Sequence, residues 1–211
     1  NANVAIGNSA LATHNLTSAT AGYNVAVGFN AGVSVTTGDQ NTIIGGLAGD
    51  ALTSGTNNII IGYDAAASAI GAADEITLGN ANNDTIRAAV TSITSLSDER
   101  DKTDIEELPY GLDFVDSLKP KKFIWNHRPQ IKIEVDDEGN EREVQVYSSR
   151  KGSKDIGFIA QEIDVVDNEY TKLVYKSNPE KLEATYGRLI PVLVKAIQEL
   201  SAEVKELKSK I

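Results

Sequence analysis

The chain opens on short apolar runs that recur and end in glycine: Val4-Ala5-Ile6-Gly7, Val25-Ala26-Val27-Gly28, Thr42-Ile43-Ile44-Gly45 and Ile59-Ile60-Ile61-Gly62, with a degenerate fifth copy, Ile76-Thr77-Leu78-Gly79. The five glycines are separated by 21, 17, 17 and 17 residues, and Asn3, Asn24, Asn41 and Asn58 each precede a run. Every copy is a three- or four-residue β-prone segment, a glycine turn and a polar stretch of Ala, Ser, Thr and Asn. A unit this small buries no core alone, so copies must stack on one another or pair across chains. The pattern predicts an all-β shaft over residues 1–80, its short strands wound into a β-solenoid or β-prism. Glycine permits the tight turn, and asparagine hydrogen-bonds turn backbone. Tyr23, Phe29 and Tyr63 are the only aromatic residues of this part. A single-chain stack would therefore bury little apolar surface, and three-fold association would supply a shared axis.

The pattern then changes. Between residues 81 and 96 the glycines stop, and Ile86, Val90, Ile93 and Leu96 follow at spacings of 4, 3 and 3. This connector fits a short helix or an extended three-fold stalk. From residue 97 onward the periods mix. Ile105, Leu108, Leu112, Val115 and Leu118 lie near helical period, predicting a capped turn and helix over 105–118. Residues 121–125 read as a strand. Ile131 to Val135 and Arg142 to Tyr147 alternate around the acidic stretch 136–140, which predicts a β-hairpin. Residues 155–161 should lead from strand into helix, and 173–175 form a further short strand. Last, Ile190, Leu193, Ile197, Leu200, Val204, Leu207 and Ile211 alternate by 3 and 4, three heptads with Ile or Val at a and Leu at d. Pro191 places the start of this helix near itself. The core composition alone leans towards a parallel dimer. The fold class is thus mixed: a repetitive β shaft, 1–80, a connector, 81–96, and an α+β domain, 97–211, ending in a coiled-coil helix over about 190–211.

Charge divides the chain at the same place. The net charge is −10, and 19 of the 20 Lys and Arg residues follow residue 96, where Arg87 is the one basic residue before it. An acidic chain of this kind argues against nucleic acid or an anionic membrane surface as partner. No run of 18 apolar residues occurs, so membrane insertion is not expected. Cysteine and methionine are both absent, which removes disulfides, thiol catalysis and Cys-bound metals. His14 and His127 stand alone, and the acidic stretch 136–140 lacks the spacing of a calcium loop. No cofactor and no metal are expected. Asn1 opens directly on a repeat, and more of the same fibre is expected upstream.

Two resemblances sharpen this reading. The Asn-x-x-x-Gly spacing over about residues 3–80 resembles the head repeats of trimeric autotransporter adhesins and the shafts of phage tail fibres. That resemblance implies a host cell-surface receptor, a glycan among the candidates, contacted through the shaft, where Tyr23, Phe29 and Tyr63 are able to stack on sugar or to pack. Beyond the shaft, Ser97-Asp98-Glu99-Arg100-Asp101-Lys102-Thr103-Asp104-Ile105, Tyr110-Gly111-Leu112, Lys119-Pro120, Phe123-Ile124-Trp125, the stretch from Asp155 to Glu162, and that from Tyr186 to Leu193 are similar in order and type to the endosialidase-type intramolecular chaperone domain, the S74 peptidase family. Such domains end phage tail fibres and spikes, trimerise, guide folding of the preceding fibre and cut themselves off. The resemblance implies a homotrimer, a virion location for the fibre, and a released chaperone that acts in the host cytoplasm during assembly. It places a catalytic Ser/Lys dyad on Ser97 and Lys102 and the scissile bond between Leu96 and Ser97. Asp98 and Arg100 match as possible supporting residues.

Physical chemistry sets two conditions on that dyad. A serine hydroxyl needs a base to take its proton. A lysine serves as that base only when neutral, so such a site must bring an ordinary lysine pKa of about 10.4 down by roughly 3, a cost of about 4 kcal/mol that burial can supply. Acidic neighbours at Asp98, Glu99, Asp101 and Asp104 oppose this if they lie close. Residues five apart also point away from each other on a helix or strand. Contact within one chain then needs a turn between them, and the alternative is a meeting across a subunit interface. Ser97 followed by acidic residues also fits a helix N-cap.

Overall fold

The computed structural model describes residues 2–15, 22–83, 85–90, 92–135 and 141–211, with backbone alone at 130, 132–135 and 141. Its contacts divide into two compact units, Asn1–Thr85 with Ile124–Ser153, and Ile86–Phe123 with Lys154–Ile211.

In the first unit the repeats form a parallel five-stranded sheet of β1 (Val4–Ile6), β2 (Val25–Val27), β3 (Thr42–Ile44), β4 (Ile59–Ile61) and β5 (Ile76–Leu78), stacked in chain order. Each run pairs with its repeat equivalent: Val4 with Val25, Val25 with Thr42, Thr42 with Ile59, Ile59 with Ile76. Because strand side chains alternate, the central residue of each inner run, β2 to β4, points inward. Ala26, Ile43 and Ile60 are completely buried, together with Ala31, Val35, Ala48, Leu52 and Ala65 from the turns. The flanking residues point out. Val4, Ile6, Ile44, Ile59, Ile61, Ile76 and Leu78 are all exposed apolar side chains. Parallel sheets are ordinarily covered on both faces, and this one is covered on one.

The asparagines do more than satisfy turns. Asn24, Asn41 and Asn58 are fully buried and bond from coil to coil. Asn41 donates its amide to Gly55 O at 2.8 Å, donates again to Asn24 Oδ1 at 3.1 Å, and accepts from Asn58 N–H at 3.1 Å and Asn58 Nδ2 at 2.9 Å. Asn58 continues with Nδ2 to Ala72 O at 2.8 Å and accepts from Glu75 N–H at 3.1 Å. At the fifth coil Glu75 replaces asparagine and turns to Ser68, whose hydroxyl donates to it at 2.5 Å. At the other end His14 Nε2 lies 3.1 Å from Gly38 O and 3.1 Å from Asn24 Nδ2, so this histidine is part of the coil packing. The glycine after each strand is required by the stack. Gly45 has φ +133°, and a Cβ there would stand 2.4 Å from Gly62 O of the next coil.

The hairpin expected around residues 136–140 forms from β7 (Gln130–Val135) and β8 (Glu141–Val146), paired antiparallel from Gln130 with Val146 to Val135 with Glu141. The acidic stretch itself lies outside the described residues.

In the second unit, residues 85–90 and 92–98 contain neither helix nor strand. The helical alternative for the connector is therefore corrected. Ile86, Val90, Ile93 and Leu96 are exposed, the last two by 99%, so among the described residues they have nothing to pack on, and a short segment rich in β-branched residues holds no helix unaided. A 3-10 turn follows at Glu99–Asp101. Helix α1 covers Leu112–Ser117, shorter than the 105–118 expected, because Pro109 lacks an N–H and biases Leu108 to extended backbone. Gly111 gives α1 no side-chain cap, and Leu112 N–H donates instead to Glu199 Oε2 at 2.7 Å. Strand β6 (Lys121–Ile124) pairs with β9 (Lys154–Gly157), which leads into α2 (Ala160–Asp164), and β10 (Val174–Tyr175) pairs with β11 (Glu183–Ala184). Their small core joins Ile163, Leu173, Val174 and Leu189, with Phe114, Leu118 and Phe158 against it.

Helix α3 spans Leu189–Ser209, with Pro191 in its first turn. It presents two different faces. Leu189, Val192 and Ala196 are buried in the unit, and Glu199 continues that face to α1. The heptad residues Ile190, Leu193, Ile197, Leu200, Val204, Leu207 and Ile211 lie elsewhere and are each at least 40% exposed.

Candidate active site

Ser97 and Lys102 are brought together by one turn. Asp98 has extended backbone, and its carboxylate caps the 3-10 turn by accepting the N–H of Arg100 at 2.9 Å. The backbone closes with Asp101 N–H to Asp98 O at 3.3 Å and Lys102 N–H to Glu99 O at 3.1 Å. Lys102 then leaves in extended conformation, and its side chain returns. Its Nζ stands 2.6 Å from Ser97 Oγ and 3.2 Å from Ser97 O. The five-residue spacing is thus bridged within one chain. Asp98, rather than Ser97, occupies the N-cap, which corrects the capping alternative.

Arg100 does not face the lysine. It folds back on Asp98 as a two-pronged clamp, Nε to Oδ1 at 2.9 Å and Nη2 to Oδ2 at 2.6 Å. This planar match of fork to carboxylate holds the Asp98 carboxyl below its ordinary value, with the Arg100 backbone N–H adding to the effect. Asp98 in turn raises the Arg100 guanidinium. One consequence concerns the acidic neighbours. Asp98 is engaged elsewhere, and Lys102 forms no ion pair among the described residues, both recorded partners of its amine being atoms of Ser97.

All of these groups are exposed in the single chain: Ser97, Asp98, Arg100 and Lys102, with Leu96 wholly so. The carbonyl that precedes Ser97, Leu96 O, has Ser95 Oγ at 3.5 Å as a hydroxyl donor. Sequence reasoning did not single out Ser95, since a serine two residues before another carries no signal of its own. As a protonated group, the lysine donates to Oγ. Once it has lost a proton, the same separation lets the hydroxyl donate to the amine, which is the arrangement of a general base and its nucleophile.

The remaining candidates are placed elsewhere. His14 sits in the coil stack, and His127 stacks on Trp125 at 4.8 Å between ring centres. No three His, Cys, Asp or Glu residues gather at metal-binding distances among the described residues, and no described helix is long and apolar enough to cross a membrane.

Residues 97–175 match the family model for the S74 peptidases, described as chaperone of endosialidase. The segment beginning at Ser97 is thus similar to chaperone-of-endosialidase domains. The match starts on the serine of the turn and ends in β10, so it takes in the Ser97–Lys102 pair, α1, the hairpin, β9 and α2. No curated protein and no solved structure matches the chain. The match supports a tail-fibre chaperone role for this segment, and the matched family implies self-cleaving peptidase activity in general.

Proposed function

We propose that this chain is the C-terminal part of a phage tail fibre or spike, in which residues 97–211 trimerise, guide the folding of the β shaft and then cut the chain between Leu96 and Ser97. Ser97 is the nucleophile and Lys102 the general base. The observation that carries the reading is the 2.6 Å approach of Lys102 Nζ to Ser97 Oγ across a capped turn, at the residue where the family match begins.

Assembly supplies what a single copy lacks. The cleavage step needs a neutral amine beside the hydroxyl, and removal of water is what disfavours an ammonium. Among the described residues, two apolar features lack packing partners. One is the stripe of Ile86, Val90, Ile93 and Leu96 running up to the dyad, and the other is the heptad face of α3. Burying these between three copies removes apolar surface from water and dries the neighbourhood of Ser97 at the same time. Cleavage is then conditional on assembly. The uncovered outer face of the shaft sheet is the third surface that association covers, and the shaft, once assembled, meets the host receptor in the virion.

The exposure of the dyad favours one other reading, a trimeric fibre tip or bacterial surface adhesin that never cuts and binds its receptor through the shaft. Intact mass of freshly made protein separates the two. Fragments meeting at Leu96 and Ser97, absent in Ser97→Ala, support self-cleavage. A wild-type chain that stays whole as a trimer supports the scaffold.

A further inference from the structure

We infer that the fifth coil of the shaft is a terminal cap that refuses a further coil, above all the open β1 edge of a second copy of this chain. The role belongs to the shaft alone and holds whether or not the chain cuts itself.

A stack of similar coils has two ends, and each end offers strand backbone and an apolar interior that another coil can cover. The β1 end is of this open kind. Among the described residues β1 pairs on one side only, with β2. Val4 N–H is donated to Asn24 O on that side, so the next N–H along the strand, that of Ala5, points to the open side.

At the opposite end, in β5, three columns of the repeat change together. In the asparagine column each side-chain oxygen accepts the N–H of the next coil: Asn3 from Asn24 and Asn24 from Asn41 at 2.9 Å, Asn41 from Asn58 and Asn58 from Glu75 at 3.1 Å. Glu75 instead turns its carboxylate back to Ser68, accepting the N–H at 3.0 Å and the hydroxyl at 2.5 Å. In the inward column Ala26, Ile43 and Ile60 are completely buried, whereas Thr77, which pairs with Ile60, is half-buried and ends the apolar column on a hydroxyl. In the glycine column a Cβ on Gly28 or Gly45 would strike the carbonyl of the next coil's glycine, but on Gly79 it would strike the side chain of Asn83. Asn83 therefore stands where the backbone of a sixth coil would lie. It is held there by the N–H of Asn80 at 2.7 Å, and Asn80 closes the turn by donating to Tyr63 O at 2.8 Å and accepting Asn82 N–H at 2.9 Å.

An incoming coil would have to bury the Thr77 hydroxyl, displace Asn83 from its bond and draw Glu75 away from Ser68 to find an acceptor for its own first N–H. All three penalties fall at the β5 end. Terminal units with a polar outer face are what keep stacked-repeat proteins soluble, and Glu75, Thr77 and Asn83 give the shaft such a face.

The full chain carrying Glu75→Asn, Thr77→Ile and Asn83→Gly returns this coil to the pattern of its predecessors, and it leaves in place Asn82, which accepts Ser149 N–H at 2.8 Å. By analytical ultracentrifugation the wild-type mass should reach a fixed ceiling as concentration rises. The triple variant should climb past that ceiling as β1 of one copy pairs with β5 of the next, an open head-to-tail association. Adding Ala5→Pro, which removes the N–H on the open side of β1, should bring the mass back to the wild-type ceiling. The chain has no cysteine, so the contact itself can be read: a disulfide between copies bearing Ile6→Cys and copies bearing Leu78→Cys should form in the triple-variant background and not in the wild-type one. A triple variant that is folded by circular dichroism and does not exceed the ceiling overturns the cap, and so does the disulfide in the wild-type background. Asn83→Gly alone carries the same disulfide test if the triple variant does not fold, and no disulfide there overturns the cap as well.

Discussion

Lys102 Nζ meets Ser97 Oγ at 2.6 Å because a single 3-10 turn, capped by Asp98, reverses the chain between them. If that contact carries proton transfer, a cation that never gives up its proton cannot replace lysine. Lys102→Arg keeps charge and reach, yet guanidinium stays protonated at neutral pH. Lys102→Arg, Lys102→Ala and Ser97→Ala should each lower the cleavage rate by at least about 10²-fold, measured as the fraction of intact chain against time.

The turn makes a separate prediction for Asp98. Asp98→Ala deletes the cap and the Arg100 clamp together, so the productive turn should be populated severalfold less. Cleavage should slow by that factor equally at every pH, since the residue positions the lysine without exchanging its proton. Asp98→Asn retains an acceptor for the Arg100 N–H and should recover most of the rate. A pH profile displaced sideways in Asp98→Asn would instead mean that the carboxylate acts on the lysine's charge.

Helix α3 allows assembly and folding to be separated. Leu200→Asp changes the exposed heptad face and should leave each copy folded but drive the native mass, by analytical ultracentrifugation, to that of one chain. Val192→Asp strikes the buried face of the same helix and should unfold the domain. If cleavage depends on assembly, the folded monomer of Leu200→Asp should not cut. A monomer that cleaves at the wild-type rate would show that the contact within one chain is sufficient.

Much of this fold was legible because its signals are local. A 17-residue recurrence of apolar run and glycine fixes strand, register and coil at once, and the 3-and-4 alternation from Ile190 marks α3. Other features depended on distant groups. The helix expected from residue 105 stops short at Pro109, whose missing N–H outweighs the period of Ile105 and Leu108. Ile86, Val90, Ile93 and Leu96 keep helical spacing without a helix, since no described residue packs against them to hold one. Asn24, Asn41 and Asn58 were visible as turn residues, yet their bonds run to equivalent residues a whole coil away. At the dyad, residue types and spacing named Ser97 and Lys102 through a family resemblance, and only the folded turn shows how five intervening bonds in sequence become one contact.

That asparagine ladder predicts a sharp contrast between neighbours. Asn41→Ala strands the Gly55 carbonyl, the Asn58 N–H and the Asn58 amide in a buried stack. At about 1 to 3 kcal/mol for each unsatisfied buried group, the shaft should lose at least about 3 kcal/mol. Asn57→Gly, which keeps the left-handed backbone of this position (φ +56°) free of strain, removes only an exposed bond to Asp74 and should cost under about 1 kcal/mol. Thermal unfolding of the two variants in parallel gives the comparison.

Acid should loosen the domain through Asp167. Burial pushes its carboxyl up, but the Thr171 hydroxyl and the backbone N–H groups of Leu173, Val174 and Asn168 together outweigh this and hold it below the ordinary carboxylate value. Thr171 Oγ1 donates at 2.6 Å, Leu173 N–H at 2.8 Å and Val174 N–H at 3.0 Å, so the carboxylate ties the loop after α2 to β10. A group whose folded pKa is depressed contributes its full stability above its unfolded pKa, about 3.9 for aspartate, and loses that contribution as pH falls through the folded value. Wild-type domain should therefore become less stable in denaturant titrations below about pH 4. Asp167→Asn, which has no proton to gain, should start less stable at pH 7 and show a flatter decline through the same window. Parallel curves for the two proteins would show that the acid response comes from other carboxylates.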